Sequence, residues 1–181
     1  MLTLLKYFFR VYKAEKLRKD ILNQNPTCKI GYDFVVTAPQ SFTLGLYVDI
    51  QTNCYLATNG GVSIGDYSQV SENCTIFSDE HLYDIDDYIP ISNKKIKKPV
   101  TIEEFVIIGA NVSILPGVTI GKGSFIGMGS VVINNIPPYS IALGNPARVI
   151  KTRNQEQFEK LFEEKKFLEN ITGNFKYKYV D

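Results

Sequence analysis

The segment Ile108–Val132, IGANVSILPGVTIGKGSFIGMGSVV, repeats with a period of six residues. Its large aliphatic residues recur at that spacing, at Ile108, Ile114, Ile120, Ile126 and Val132. An α-helix repeats near 3.6 residues and a flat strand at 2, so neither element alone accounts for the pattern. Because six is a multiple of two, every aliphatic side chain can face inward if each hexad contains one short strand.

A strand that ends in a turn every six residues cannot build a flat sheet. Three such strands with three corners instead close a triangular coil of about 18 residues, and successive coils stack into a solenoid. The glycines that follow several aliphatics are predicted to supply corner conformations that a Cβ atom would oppose. The pattern therefore predicts an all-β solenoid over residues 28–150, with these stacked pairs: Ile102 on Ile120, Ile108 on Ile126, and Ile114 on Val132.

The six-residue frame also extends toward the N-terminus. It includes Ile76, Val70 and Ile64, slips by two residues near Asn59, and continues with decreasing clarity to Ile30. The fifth residue of each hexad is small or β-branched, which suits a narrow interior. Cys54 and Cys74 occupy fifth positions, and we interpret them as small buried hydrophobic residues rather than nucleophiles.

The frame fails between Ile76 and Ile102, which leaves an excursion of 20 extra residues, 82–101. A long loop inside a compact solenoid is usually functional. His81, the only histidine of the chain, stands at the start of this excursion. It is either a surface histidine beside a loop or a general base, since imidazole accepts protons near neutral pH. The excursion also contains aromatic and charged residues: Tyr83, Asp84, Asp86, Asp87, Tyr88, Lys94, Lys95, Lys97 and Lys98.

The composition excludes several function classes. With 20 basic and 19 acidic residues, the net charge of +1 gives no reason to expect nucleic-acid binding. Three cysteines without a C-x-x-C pair argue against a disulfide framework and favour a reducing cytoplasm. A single histidine and the absence of metal-ligand spacing predict no catalytic metal. No apolar run approaches the ~18–20 residues that a membrane-spanning helix requires.

Helical segments are predicted at both ends. Residues 1–27 contain a basic, amphipathic stretch that lacks the cleavage site of a signal peptide. It either packs on the protein body or rests on the anionic inner face of a membrane. Within the C-terminal segment 151–181, residues 153–170 predict a helix that covers the open end of the solenoid. The apolar faces of the two helices comprise Leu5, Phe8, Phe9, Tyr12 and Leu17, and Phe158, Leu161, Phe162 and Leu168.

Four stretches carry a resemblance to a known family: VSIGDYSQVSENCTIFSDEH, PVTIEEFVIIGANVSILPGVTIG, GMGSVV and IPPYSIALGNPARVIK, which lie within about residues 60–151. They resemble the hexapeptide-repeat acyltransferases, and most closely the branch of galactoside, maltose and bacterial polysaccharide O-acetyltransferases. The resemblance implies a left-handed parallel β-helix, acetyl-CoA as cosubstrate, direct attack on the thioester, and a homotrimer with active sites between subunits.

The resemblance also implies roles for single residues. His81 would be the general base, with Glu80 or Asp79 orienting its ring, and the Ala110 amide would stabilise the oxyanion. The pantetheine arm would contact Ala110 and Met128, and the CoA phosphates Arg148 and Lys151. Ile133 and Asn134 stand where the family usually has a Thr-Lys pair, which weakens one phosphate contact. Asn53 stands where relatives place a substrate-binding asparagine, and Asn59 is the alternative, although both also suit corners. Apart from the resemblance, Tyr83 in the excursion suits contact with the hydroxyls and ring of a sugar acceptor.

Three functions are consistent with these observations. The first is acetylation of a sugar hydroxyl in capsule, lipopolysaccharide or exopolysaccharide biosynthesis. The second is N-acetylation of a nucleotide-linked amino sugar. Many enzymes of that kind pair the histidine with a following acid, whereas Leu82 follows His81 here. The third is a non-catalytic β-helix scaffold, against which His81 and its excursion argue.

Overall fold

A computed structural model describes residues 14–84 and 87–167 of the chain. Helix α1 (residues 14–24) is followed by a solenoid of short strands, and helix α2 (Gln155–Glu163) comes last. Leu17, on α1, packs against the solenoid core. No helix within the described ranges is long and apolar enough to cross a bilayer. Several residues discussed above lie outside the described ranges: Leu5, Phe8, Phe9, Tyr12, Asp86 and Leu168.

The solenoid strands form three sheets, which we call faces A, B and C. Face A contains β1 (Lys29–Ile30), β4 (Asp49–Ile50), β7 (Gln69–Val70), β12 (Ile107–Ile108), β15 (Phe125–Ile126) and β17 (Ser140–Leu143), with β18 (Arg148–Thr152) antiparallel to β17. Face B contains β2 (Val35–Val36), β5 (Tyr55–Ala57), β8 (Thr75–Phe77), β13 (Ser113–Ile114) and β16 (Val131–Val132). Face C contains β3 (Phe42–Leu44), β6 (Val62–Ile64), β11 (Val100–Ile102) and β14 (Thr119–Ile120).

The chain visits faces A, B and C in turn, and we name the corners between them AB, BC and CA. The predicted stacking is confirmed residue for residue: Ile102 pairs with Ile120, Ile108 with Ile126, and Ile114 with Val132. Each of these six side chains is at most 1% exposed. Cys54 and Cys74 are each 1% exposed and are free thiols, as their interior positions predicted.

Corner BC varies in length along the solenoid. Ile114 and Ile120 are six residues apart across it, whereas Leu56 and Ile64 are eight apart. In the coil between them the same corner expands into an antiparallel hairpin, with strands β9 (Asp79–His81) and β10 (Lys95–Lys97). The observed hairpin therefore differs at both ends from the predicted excursion, residues 82–101. Its stem already begins in β9, and Val100 already belongs to face C.

The glycines that directly follow the interior aliphatics do not supply the corner conformations that the sequence predicted. Those at second hexad positions are needed for close backbone approach: a Cβ atom on Gly109 would lie 2.7 Å from the Met128 nitrogen of the next coil. The left-handed conformation falls two residues later, at Asn111 with a φ of 59° and at equivalent residues of other AB corners. Corner strain is therefore carried by asparagine and aromatic residues as well as by glycine.

Aromatic residues occupy the left-handed positions of corner CA. Tyr47, Tyr67 and Phe105 have φ values of 56°, 56° and 57°. Their rings stack at centroid distances of 4.8 and 5.0 Å, and we call this column the aromatic ladder. Side-chain stacking offsets backbone strain here, because offset aromatic pairs contribute about 0.5–1.5 kcal/mol beyond burial.

Helix α2 packs on the aromatic ladder. Phe158 lies 5.9 Å from Phe105 and 5.2 Å from Tyr139, centroid to centroid. The side chain of Asn154 caps the helix by accepting a hydrogen bond from the Gln157 amide at 2.8 Å. These contacts place α2 along corner CA, so the expectation that it covers the open end of the solenoid is wrong. Phe158 is held at the side because the ladder leaves a gap at Gly123.

We predict that Gly123→Ala lowers the free energy of unfolding more than Gly129→Ala does, by on the order of 1 kcal/mol. Both glycines are left-handed, with φ values of 67° and 71°, so the backbone cost is matched. A Cβ atom on Gly123 would lie 3.0 Å from Tyr139 and 3.1 Å from the Phe158 ring, whereas one on Gly129 meets nothing within 4 Å. Chemical denaturation measures the difference, and equal losses would contradict the docking role of Gly123.

Candidate active site at the hairpin stem

The hairpin is anchored to the solenoid by a buried serine at corner BC. The Ser78 hydroxyl donates to the Ala57 carbonyl at 2.7 Å and accepts from the Gly60 amide at 2.9 Å. The Ser78 carbonyl accepts from the Lys98 amide at 2.8 Å, which joins the end of the hairpin to its beginning. A Cβ atom on Gly60 would lie 1.8 Å from that carbonyl oxygen, so only glycine fits there. The stem therefore leaves the coil in one defined direction.

Asp79 begins the stem as a buried carboxylate with two partners. One oxygen lies 2.9 Å from the Lys95 ammonium, and the other accepts from the Asn59 side-chain amide at 3.2 Å. The Asp79 side chain is only 4% exposed. Burial raises the pKa of this carboxyl, but the hydrogen bonds from Lys95 and Asn59, with the nearby His81, outweigh burial and hold the pKa below its usual range.

Glu80 is paired on the opposite face of the stem. The Lys98 ammonium contacts one of its carboxylate oxygens, and the Tyr83 hydroxyl donates to the other at 3.2 Å. The hydrogen bond from Lys98 is the main cause that lowers the pKa of Glu80. The same contact raises the pKa of Lys98. Neither Glu80 nor Asp79 hydrogen-bonds to His81 in this structure, so the orienting role considered for them is not seen as a direct contact.

His81 ends strand β9 and lies directly opposite Lys95 in the stem register. Its ring is half-buried, and Nδ1 is fully buried without a hydrogen-bond partner among the described residues. A hydroxyl group approaching from solvent therefore reaches Nε2 rather than Nδ1. The ring is positioned by the stem backbone and lies in the field of the Asp79 carboxylate.

The structure separates the two candidate asparagines. Asn59 lies at corner BC, where it contacts Asp79 beside His81. Asn53 lies at corner AB with a left-handed φ of 58°, and its side-chain amide donates to Asn73 one coil away at 2.7 Å. Of the two, Asn59 belongs to the neighbourhood of the histidine.

The residues considered for cofactor binding lie at two corners and on strand β18. Ala110 and Met128 stack at corner AB, where the Ala110 carbonyl accepts from the Gly129 amide at 2.9 Å. No described residue accepts from the Ala110 amide. Met128 is 73% exposed, and Arg148 opens β18 opposite Leu143. Exposed Lys151 follows on β18, whereas Ile133 and Asn134 follow β16 at corner BC.

Corners AB and BC lie at opposite ends of the face B strands. Strands β8 and β13 pair in register, with Thr75 opposite Ser113. Ala110 comes before β13 and His81 comes after β8, so about six residues of extended chain, or roughly 20 Å, separate the two corners. One chain therefore does not bring Ala110 to His81.

Comparisons with known proteins agree with this architecture. The family described as "Bacterial transferase hexapeptide (six repeats)" matches residues 99–134. The chain is 31% identical over 170 residues to the galactoside O-acetyltransferase of Escherichia coli strain K12, which covers 91% of this chain and 83% of that protein.

The chain belongs to the hexapeptide-repeat transferases. It is therefore an acyltransferase built on the left-handed parallel β-helix of that family. A maltose O-acetyltransferase from Clostridium difficile 630 superposes with a TM-score of 0.70 at 28% identity, covering 80% of this chain and 87% of that one. A hexapeptide-repeat acetyltransferase from Vibrio cholerae O1 biovar eltor, crystallised with acetyl coenzyme A, gives 0.66 at 27% identity, with coverages of 71% and 69%.

This hexapeptide-repeat transferase contains site residues that sequence reasoning missed. The run of lysines in the excursion was visible, but its pairing with Asp79 and Glu80 depends on the stem register. Ser78 was not among the residues that the repeat singled out, although its carbonyl fixes the hairpin. Among the described residues, no group of three or more histidine, cysteine, aspartate or glutamate side chains could hold a metal ion.

We predict that Lys95→Gln destabilises the folded protein by about 1–3 kcal/mol at pH 7, because it leaves a buried carboxylate short of one partner. Wild-type Asp79 has a lowered pKa in the folded protein. Its contribution to the free energy of unfolding is therefore complete above the unfolded pKa of about 3.9, and it is lost as pH falls through the folded pKa. The difference between variant and wild type should therefore shrink below about pH 4.

Denaturant unfolding at several pH values measures this dependence. Lys97→Gln is the matched control, since Lys97 shares the same strand and stem face but has no carboxylate partner among the described residues. A loss that is equal in the two variants, or that does not change with pH, would contradict the pairing of Lys95 with Asp79.

Proposed function

We propose that this transferase moves an acetyl group from acetyl-CoA to a hydroxyl group of a sugar, with His81 as general base. The observation that carries the proposal is the position of His81. The only histidine of the chain stands in the stem of the one hairpin that interrupts the described repeat, with its Nδ1 buried. The similarity to galactoside and maltose O-acetyltransferases, and to a Vibrio acetyltransferase crystallised with acetyl-CoA, supports the substrate classes.

In the proposed reaction, Nε2 of His81 removes the proton of the acceptor hydroxyl while its oxygen attacks the thioester carbonyl. Collapse of the tetrahedral intermediate breaks the carbon–sulfur bond. The leaving CoA thiolate then takes the proton from the imidazolium, which restores neutral His81. General base catalysis of this kind contributes about 10²–10⁴-fold in rate. Asp79, whose pKa already reflects attraction to His81, would stabilise the transient imidazolium.

The oxyanion needs a hydrogen-bond donor that is not already engaged. The Ala110 amide meets this requirement, because no described residue accepts from it. Loss of a single oxyanion donor costs about 2.7–4 kcal/mol of transition-state stabilisation in an enzyme where it was measured. Since Ala110 and His81 lie at different corners of one chain, the proposal requires that corner AB of one subunit meets corner BC of another.

We therefore propose a homotrimer with three active sites, each shared between two subunits. One subunit contributes His81, Asn59 and the hairpin with Tyr83. Its neighbour contributes Ala110 and Met128 to a groove for the pantetheine arm, which leads toward Arg148 and Lys151 at the phosphates. Arginine suits phosphate because its guanidinium donates in a planar fork. Ile133 and Asn134 would reach the same cofactor from corner BC.

The acceptor class follows the same proposal. We place the reaction in the biosynthesis of a bacterial capsule, lipopolysaccharide or exopolysaccharide, in the cytoplasm, where acetyl-CoA is available. Contact of the N-terminal segment with the membrane would bring the enzyme to membrane-linked acceptors. Assays of CoA release with hydroxyl sugars and matched amino sugars distinguish O-acetylation from the N-acetylation alternative.

We predict that His81→Ala lowers the rate of acetyl transfer by at least about 100-fold, because it removes the general base. Thermal unfolding and acetyl-CoA binding should stay near wild type, since the ring makes no described hydrogen bond that holds the fold. Stopped assays of thiol release and calorimetric titration with acetyl-CoA measure the two effects. Turnover within about threefold of wild type would sink the assignment of His81.

Shared sites predict that two inactive variants restore activity when they assemble together. His81→Ala lacks the base, and Met128→Trp would block the pantetheine groove at corner AB. In trimers assembled from equal amounts of both, about a quarter of the sites combine an intact His81 with an intact Met128 from the neighbour. Co-expression and assay should therefore recover about a quarter of wild-type activity. Mixed trimers that stay inactive would show that each site lies within one chain.

A further inference from the structure

The hairpin stem has two faces with different chemistry. In the antiparallel register of the backbone, Asp79 lies directly opposite Lys97, and His81 lies directly opposite Lys95. Because directly opposed residues of two strands share a face, these four side chains lie on one side, which we call the histidine face. Glu80 and Ile96 lie on the other side.

On the histidine face, the described stem strands place two lysines but only one carboxylate. Asp79 is paired with Lys95 at 2.9 Å, and Glu80 on the opposite face is paired with Lys98. Lys97 is exposed and has no carboxylate partner among the described residues. Lys97 and His81 are diagonal neighbours across the stem. Residues in this arrangement lie about 7–8 Å apart, a distance within reach of a lysine side chain.

We infer that the acceptor carries a carboxylate or phosphate group that binds Lys97 while its hydroxyl group meets His81. This inference rests on the proposed function and narrows its acceptor class to acidic sugars. The anion on Lys97 belongs to the acceptor and not to CoA. The long pantetheine arm separates the CoA phosphates from the thioester, and the thioester must lie at His81 during transfer.

The charge of the reacting state favours the same conclusion. When His81 takes the proton, the histidine face holds an imidazolium beside Lys95 and Lys97, and Asp79 is the one carboxylate that the described stem strands place on that face. An acceptor with one negative charge reduces the excess positive charge as the imidazolium forms. Its contribution is therefore greater in the transition state than in the ground state, so it raises kcat as well as lowering KM.

The test uses the full chain, acetyl-CoA and matched acceptors that differ in one group. Glucose, glucuronic acid and glucose 1-phosphate form one set, and the corresponding galactose compounds form a second. The readout is the ratio of kcat/KM for each acidic sugar to that for its neutral counterpart. The variants are Lys97→Gln, Lys97→Arg as the charge-conserving rescue, and Lys160→Gln as a control on α2, away from the stem.

We expect the wild-type enzyme to prefer a carboxylate or phosphate acceptor, and the member that is favoured identifies the source of the anion. Lys97→Gln should reduce the preference about 5- to 10-fold, and Lys97→Arg should retain most of it. Lys160→Gln should leave the ratio unchanged. Added salt should weaken the preference of the wild type and have little effect on Lys97→Gln, because salt screens exposed charge.

Two results would overturn the inference. If neutral sugars are acetylated and Lys97→Gln leaves the ratio unchanged, the proposed function stands and the role of Lys97 is wrong. If no sugar of either set is acetylated, the proposed function fails and the inference fails with it.

Discussion

The in-register stacking of interior aliphatic side chains from coil to coil determines where this chain can place insertions and functional groups. Ile108 is buried between Val70 and Ile126, and the same arrangement recurs on all three faces. The stack ties each coil to its neighbours, so a residue can be inserted only where no interior side chain is displaced. Because the interior is filled, no pocket can form inside the coils. Chemistry must be placed at the corners.

Of the three corners, BC absorbs the insertions. Corners AB and CA hold left-handed residues whose side chains stack from coil to coil, as the aromatic ladder does. At corner BC, the spacing between interior aliphatics is eight residues in an early coil and six in a later one. The coil between these two contains the hairpin. Ser78 fixes both ends of the hairpin: its carbonyl accepts from the Lys98 amide, its hydroxyl accepts from the Gly60 amide, and Gly60 must lack a side chain beside that carbonyl. The histidine is thereby rigidly placed although it belongs to an excursion.

The sequence predicts the interior of this protein better than its surface, for physical reasons. Stacking of Ile102 on Ile120 follows from spacing alone, because register in a filled interior admits no slip. The position of His81 also follows from the break in the repeat. Gly109 was assigned the wrong role, since close approach between coils is set by three-dimensional geometry. The aromatic ladder was missed, because a tyrosine in a left-handed corner has no local signal and is stabilised by residues 20 or more positions away.

The division of the site between corners follows from the same constraint. A filled triangular prism presents convex corners, and a convex corner alone encloses no ligand. His81 and the unengaged Ala110 amide lie at two corners of one chain, so neither can complete a site until another surface closes over it. In the proposed trimer, a second copy would supply the missing corner without any new fold, since each chain carries both halves. The rigidity that excludes an internal pocket is then an advantage, because a shared site requires walls that hold their positions when two subunits meet.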